Sequence, residues 1–197
     1  MIKNDTEAKV LLAGIGTLLL QESLGDTVSQ ENVGTKRFTP MVIEGYKRLF
    51  NVSCEHYTVE NRMGKGFIER GAANIEPAEG AKVNGIAFWV NHSELANLDK
   101  RERYYKRIEV PCTDFETGES LGNCHIYMSP LEAEWINRDL NGLLPLWRDI
   151  VYARVGAYRI GEAFGKMFDE TTYMGDGETL MVDYYKDHLE ALMDLKR

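Results

Sequence analysis

The sequence predicts an α+β domain, and three observations carry that assignment. A short apolar run near the N-terminus, Lys9-Val10-Leu11-Leu12-Ala13, ends in a glycine turn. The middle of the chain is strand-rich, with Ile86, Phe88 and Val90 alternating with Ala87 and Trp89 as on a strand covered on both faces. The later part carries apolar residues at helical spacing, so strands come first and helices are grouped after them.

The first strand, over Lys9–Ala13, runs into Gly14-Ile15-Gly16-Thr17 and then a helix opening on Leu18-Leu19-Leu20-Gln21-Glu22. A strand, a glycine turn and a helix in that order present backbone N–H groups at the helix start, a cradle for an anion or an oxyanion. G-x-G also opens the dinucleotide fingerprint, but position 19 is Leu where the third glycine belongs, and no βαβ unit follows. A tight turn that only glycine tolerates is the structural alternative. Gly25-Asp26 ends the helix, and a polar loop extends to Thr39.

Strands follow over Pro40–Ile43 and Gly45–Phe50, and again over Ala72–Pro77 and Ala81–Val90. Between them, Cys54 to Arg70 resists assignment, with Gly64 and Gly66 marking a turn. A helix from about Ser93 to Arg103 precedes a strand over Tyr105–Val110. After Thr113–Gly118 the character becomes helical. Ser129-Pro130-Leu131-Glu132 combines an N-cap serine, proline at the first helical position and an early acid, which predicts a helix to Asn141-Gly142. An amphipathic stretch from Pro145 to Phe168 and a last helix from Met181 to Lys196 complete the chain. The stripe Met181, Tyr184, Tyr185, His188, Leu189, Leu192 and Leu195 reads as core packing first and as a partner surface second.

The most informative side chain is Glu102. In the helix over 93–103, Leu95, Leu98 and Glu102 fall at i, i+3 and i+7 on one face, with Asp99, Lys100, Arg101 and Arg103 assigned to the wet side. A carboxylate on an apolar stripe is expected to have a raised pKa, which suits a general base near neutral pH. A structural ion pair with Arg101, Arg103 or Arg107 is the competing expectation, since buried carboxylates are usually paired.

Composition sets the outer bounds. At 197 residues, with 44% hydrophobic and 27% charged, the chain reads as one domain over 1–197, the part from 129 onward a largely helical extension. A net charge of -8 speaks against nucleic acid. No stretch approaches the roughly 18 apolar residues of a membrane span, and the N-terminus lacks the apolar core of a signal peptide. The three cysteines, Cys54, Cys112 and Cys124, show no C-x-x-C spacing, which favours a reduced, cytoplasmic setting. His56, His92, His125 and His188 form no ligand pair, so no metal is expected.

Taken in order, these segments resemble the γ-glutamylcyclotransferase-like family. Ile15-Gly16-Thr17-Leu18-Leu19 resembles its Y-G-S-x-L loop, and Gly85-Ile86-Ala87-Phe88-Trp89-Val90 its glycine-led strand. Leu98-Asp99-Lys100-Arg101-Glu102 resembles its L-D-x-x-E helix, and Tyr105-Lys106-Arg107-Ile108-Glu109-Val110 its Y-x-R-x-x-V strand. Gly45-Tyr46 matches a glycine-tyrosine strand, with weaker echoes at Cys124–Met128 and Val155-Gly156-Ala157.

The resemblance implies a small mixed β-barrel flanked by helices, with a helical C-terminal extension that covers the barrel or forms a homodimer contact. It implies a small-molecule γ-glutamyl substrate cyclised to 5-oxoproline without a cofactor. Glu102 would be the general acid/base, and Gly14, Ile15, Gly16, Thr17, Leu18, Leu19 and Tyr105 would bind substrate. Ile15 stands where the family has tyrosine, and Thr17 where it has serine. The first change removes a ring from the site and leaves open a non-catalytic binding or interaction protein on the same fold.

Overall fold

The protein is described here from a computed structural model over residues 9–25, 27, 34, 37–54, 59–60, 67–140, 142–145 and 147–186. The strands are β1 (Val10–Gly14), β2 (Thr39–Ser53), β3 (Val59–Glu60), β4 (Phe67–Val90), β5 (Lys106–Asp114), β6 (Ser120–Met128), β7 (Leu143–Pro145) and β8 (Thr172–Tyr173). The α-helices are α1 (Gln21–Gly25), α2 (His92–Arg101), α3 (Trp147–Ile160), α4 (Glu162–Glu170) and α5 (Met181–Tyr184). Among the described residues, no helix is long and apolar enough to cross a membrane.

The sheet runs in the order β3-β4-β1-β6-β5-β2-β8, and a further β4–β2 pairing closes five of its strands into a barrel. β1 and β6 are parallel, while the other barrel pairs are antiparallel, so the barrel is mixed. This is the α+β barrel with flanking helices that the family resemblance implied.

Two long strands make closure possible. The segments expected as separate strands merge: β2 is 15 residues and β4 is 24. The join is an irregularity, where Glu44 pairs with Lys82 but Tyr46 pairs with Pro77. Gly45 and Gly80 sit there at φ 80° and 74°, a left-handed backbone that a side chain rarely adopts. The bend lets one strand pair serve first the barrel and then the arm that reaches β7 and β8.

Alternation along the strands sorts the apolar residues into two cores. Ala13, Met41, Ile43, Ile75, Val83, Ala87, Val110, Cys112, Cys124 and Ile126, drawn from all five barrel strands, fill the interior. Their alternates Leu12, Ile86, Phe88 and Val90 face outward and pack with Leu95, Leu98, Ile150, Ala153, Phe164 and Phe168 of the helices.

Four of the expected helical stretches differ from expectation. Leu18–Glu22 is not one helix but a 3-10 turn over Thr17–Leu19 followed by α1. Among the described residues the helix expected over 129–142 does not form. Ser129 is buried and its hydroxyl is already committed, donating to Tyr104 O at 3.0 Å and accepting from Trp135 Nε1 at 2.7 Å. Its N–H goes to Asn74 Oδ1, and Ile136 bridges to Val52, so the segment lies along the sheet with its polar groups paired there. The C-terminal extension is helical only beyond this segment: the stretch over 145–168 breaks at Gly161 into α3 and α4. The last helix spans Met181–Tyr184, and His188, Leu189, Leu192 and Leu195 lie outside the described residues, as do Gly64 and Gly66.

Candidate active site

A cavity of about 320 Å³ opens where the two cores meet, and the sequence places chemistry on each of its walls. One wall is the end of β1 and the turn after it: Gly14, Ile15, Gly16, Thr17 and Leu18 all line the cavity. The chain turns tightly because little space exists for side chains. A Cβ on Gly14 would meet Leu18 Cβ at 2.8 Å, and one on Gly16 would meet Ala73 Cβ at 3.1 Å. Leu19 does not line the cavity. Its side chain is buried in the outer core and its N–H donates to Gly16 O at 3.0 Å, so the expected cradle narrows to the groups before it.

Glu102 forms the second wall, together with Tyr105. Helix α2 begins at His92 rather than Ser93, because Asn91 caps it in a capping box with Glu94, Asn91 Oδ1 accepting from Glu94 N at 2.9 Å and Glu94 Oε2 from Asn91 N at 3.0 Å. It ends at Arg101, which makes Glu102 the C-cap, its N–H still bonded to Leu98 O. Leu95 and Leu98 are buried as expected and anchor the helix. Asp99 holds the helix to the barrel by taking Arg107 Nη1 on both oxygens at 2.7 Å and the Tyr127 hydroxyl at 2.7 Å. The Glu102 side chain keeps 19% exposure, at the cavity.

Arg101 is the residue assigned to the wrong side. Rather than facing water, it bridges helix α2 to the opposite wall. Nη1 donates to Ser23 O at 3.0 Å and Thr27 Oγ1 at 2.8 Å, and Nη2 to Thr17 Oγ1 at 3.2 Å. Its Nε lies 3.2 Å from Glu102 Oε1. The ion pair anticipated as the structural alternative therefore exists. It does not cancel the effect of burial, which pushes the Glu102 carboxyl above its ordinary range with Arg101 only partly opposing.

The third wall went unread in the sequence. Cys54, Arg70 and Asp149 line the cavity beside Tyr105. The Tyr105 hydroxyl donates to Ala73 O at 2.8 Å, and burial, helped by Cys54 and Glu102, pushes the phenol well above the ordinary tyrosine range. Burial also pushes the Cys54 thiol up to about 11, so it is a neutral group at physiological pH. Arg70 Nε and Nη2 donate to Asp149 Oδ2 at 2.9 and 2.6 Å. Asp149 did carry a readable signal. With Ala153 and Gly156 it lies at i, i+4 and i+7 on the buried face of α3, the pattern that singled out Glu102.

Gly156 brings that helix in. A Cβ there would fall 2.5 Å from the Leu19 carbonyl carbon, so α3 packs directly against the backbone of the turn. Among the described residues no group of His, Cys, Asp and Glu could hold a metal ion.

A closed mixed barrel with a cavity between its first turn and a carboxylate after the following helix defines the class of protein. The sequence profile of the family described as gamma-glutamyl cyclotransferase, AIG2-like, matches residues 25–142, and the chain belongs to that family. Among solved structures, an uncharacterised human protein superposes with a TM-score of 0.61 at 21% identity, covering 82% of this chain and 87% of that one. A gamma-glutamyl cyclotransferase gives 0.60 at 20% identity over 82% and 86%. A yeast gamma-glutamyl cyclotransferase specific to glutathione gives 0.52 at 11% over 83% and 97%. No protein matched in a search of the curated proteins.

Proposed function

We propose that the chain is an enzyme that cyclises a γ-glutamyl amine or amino acid to 5-oxoproline, with Glu102 as its acid/base. The observation that carries this is the shared cavity: Glu102 and the turn over Gly14–Leu18 both line it. The substrate's α-amine is tethered to its γ-carbonyl, so the protein has mainly to fold the substrate, move one proton and stabilise one charge.

Glu102 takes a proton from the α-ammonium. The amine then attacks the γ-carbon, and the carbonyl electron pair moves onto oxygen. Backbone N–H groups of Gly16, Thr17 and Leu18, in the turn that lines the cavity, would meet that oxyanion or the substrate's α-carboxylate. As the oxyanion collapses, the bond to the leaving nitrogen breaks and Glu102 returns the first proton to it; the ring nitrogen, cationic since the attack, then passes its second proton by way of Glu102 to the released amine, which departs as an ammonium and leaves the carboxylate restored. An ordinary glutamate, at about 4.3, is poorly matched to an amine near about 8. Burial of Glu102 narrows that gap. Tyr105, kept neutral, forms the wall beside the acid and fixes its surroundings through Ala73. The chemistry calls for no cofactor.

The test is 5-oxoproline release from a panel of γ-glutamyl amino acids and amines, with calorimetry of 5-oxoproline binding in parallel. Release from at least one compound, lost in Glu102→Gln, is the expected result. Ile15 is buried and packs toward Gly85, where a Cβ would meet its Cγ2 at 3.0 Å, so it supplies bulk but no polar contact. Binding of γ-glutamyl compounds without release would make this a binding protein on the same fold.

A further inference from the structure

We propose that Arg70, held in place by Asp149, reads a carboxylate on the leaving group, so that γ-glutamyl amino acids are preferred over γ-glutamyl amines. This rests on the cyclotransferase reading above and extends it to the half of the substrate that is released.

The order of groups around the cavity sets the geometry. Arg101 joins Glu102 to Thr17 of the turn, while Cys54 lies among Tyr105, Arg70, Asp149 and Glu102. The γ-glutamyl unit closes into a compact ring against the turn. A leaving group that extends from the ring toward the second cluster meets Tyr105, Cys54 and Arg70, which all line the cavity. A volume of about 320 Å³ suits this, since it is at the small end of the range for ligand sites and leaves room for a short extension beyond the ring.

The three arginines near Glu102 are not equivalent. Arg101 has Nε against Glu102 and both terminal nitrogens committed to Thr17, Ser23 and Thr27. Arg103 is exposed and lies over the Tyr104 ring. Arg70 spends Nε and Nη2 on a single oxygen of Asp149, and among the described residues its Nη1 has no hydrogen-bond acceptor. Its side chain keeps 23% exposure at the cavity, while that of Asp149 keeps only 6%. A guanidinium fixed along one edge and open along another is preorganised for a planar anion, because its donors are rigidly placed and little entropy remains to be lost.

Asp149 acts through Arg70 as a positioning residue. It comes from α3, beyond the 25–142 stretch that matches the family, so this chain's own C-terminal helix completes the far wall of the site. The close approach of Gly156 to the Leu19 backbone sets the depth at which that helix delivers the carboxylate.

The neutral Cys54 between Tyr105 and Arg70 suits the same role. It adds no charge to compete for the guanidinium.

Two substrates that differ only in the carboxylate test this: γ-glutamylglycine and γ-glutamylethylamide. In the wild type, kcat/KM for 5-oxoproline release is expected to favour the glycine compound by about tenfold or more, the size of one charge-assisted contact. Arg70→Met should bring the ratio close to one, Arg70→Lys should restore part of it, and Asp149→Asn should lower it. The same ratio is read independently from dissociation constants by calorimetry. No release with either compound, together with an Arg70-dependent difference in affinity, would defeat the cyclotransferase reading and leave Arg70 as the carboxylate reader. A ratio near one in the wild type would overturn the proposal. So would equal losses on both compounds in Arg70→Met, which would assign Arg70 to the α-carboxylate they share.

Discussion

Glu76 and Glu102 are both carboxylates sunk into the protein beside an arginine, yet their surroundings give them opposite roles. Glu76 is saturated: Oε1 accepts Asn51 Nδ2 at 2.6 Å, and both oxygens accept Arg138 Nη2 at 2.7 and 2.9 Å. Asn51 in turn accepts from Asn74 at 3.1 Å, and Asn74 accepts the Ser129 N–H at 2.9 Å, so Glu76 anchors a buried network that ties the 129–138 segment to the sheet. Among the described residues Glu102 has one cationic neighbour, at 3.2 Å, and that neighbour is shared with Thr17 of the turn that lines the same cavity. Burial alone does not mark a catalytic carboxylate. What separates the two is how many donors each has and whether space lies in front of it.

The largest expected effect comes from exchanging the roles by mutation. Glu102→Gln should lower turnover by about 10²–10⁴ with the fold intact. A carboxyl with a raised folded-state pKa binds its proton more tightly folded than unfolded, so it makes stability fall as pH rises through the ordinary carboxylate value. Thermal melts of Glu102→Gln should lack that fall. Glu76→Gln should do the reverse, costing about 1–3 kcal/mol of stability in denaturant melts while turnover at saturating substrate is largely kept. Loss of turnover in Glu76→Gln at full folding would erase the distinction between the sites.

Next in size is Gly156→Val. Two added methyl groups on the Cβ that already meets the Leu19 backbone at 2.5 Å must push α3 outward, at about 1–3 kcal/mol. The Arg70–Asp149 pair should loosen with it, visible as a lower preference for γ-glutamylglycine. Gly16→Val places bulk at the cavity wall against Ala73, where the nearest contact is already 3.1 Å. Binding of 5-oxoproline should fail with a modest stability loss, and undiminished affinity would make the turn purely structural.

The smallest effect concerns Cys54. With its thiol pushed up to about 11, it should react slowly with iodoacetamide at neutral pH, and the rate should still be climbing well above the ordinary thiol value of 9.0. A labelling rate that levels off near that ordinary value would mean Cys54 is not enclosed as described.

The individual barrel strands and the Glu102 wall were legible because both rest on local signals, whereas closure into a barrel was implied only by the family resemblance. Alternation at Ile86–Val90, glycines at 14 and 16 and the leucines at 95 and 98 each act within a few residues. The helix start at Ser129 was misread for the opposite reason. Its sequence fits an N-cap, but Tyr104 and Asn74 from two distant segments, with Trp135 six positions on, claim its hydroxyl and N–H. Arg101 was placed in water by its charge, although its partners Thr17, Ser23 and Thr27 lie more than seventy positions away. Arg70 and Asp149 are separated by 79 positions, and only the approach of α3 to the turn, through Gly156, makes them one wall. Long-range polar pairing is what a single sequence hides.

The central claim is that burial tunes Glu102 to accept a proton across this cavity. The most direct measurement is the pH dependence of kcat/KM for 5-oxoproline release from γ-glutamylglycine, in wild type and Glu102→Gln, from about pH 4 to about pH 9. The account predicts a wild-type rate that rises with pH through a value above 4.5, the ordinary carboxyl, and a variant in which that acid limb is gone along with most of the activity. An acid limb that persists unchanged in Glu102→Gln would place the working base elsewhere and contradict the account.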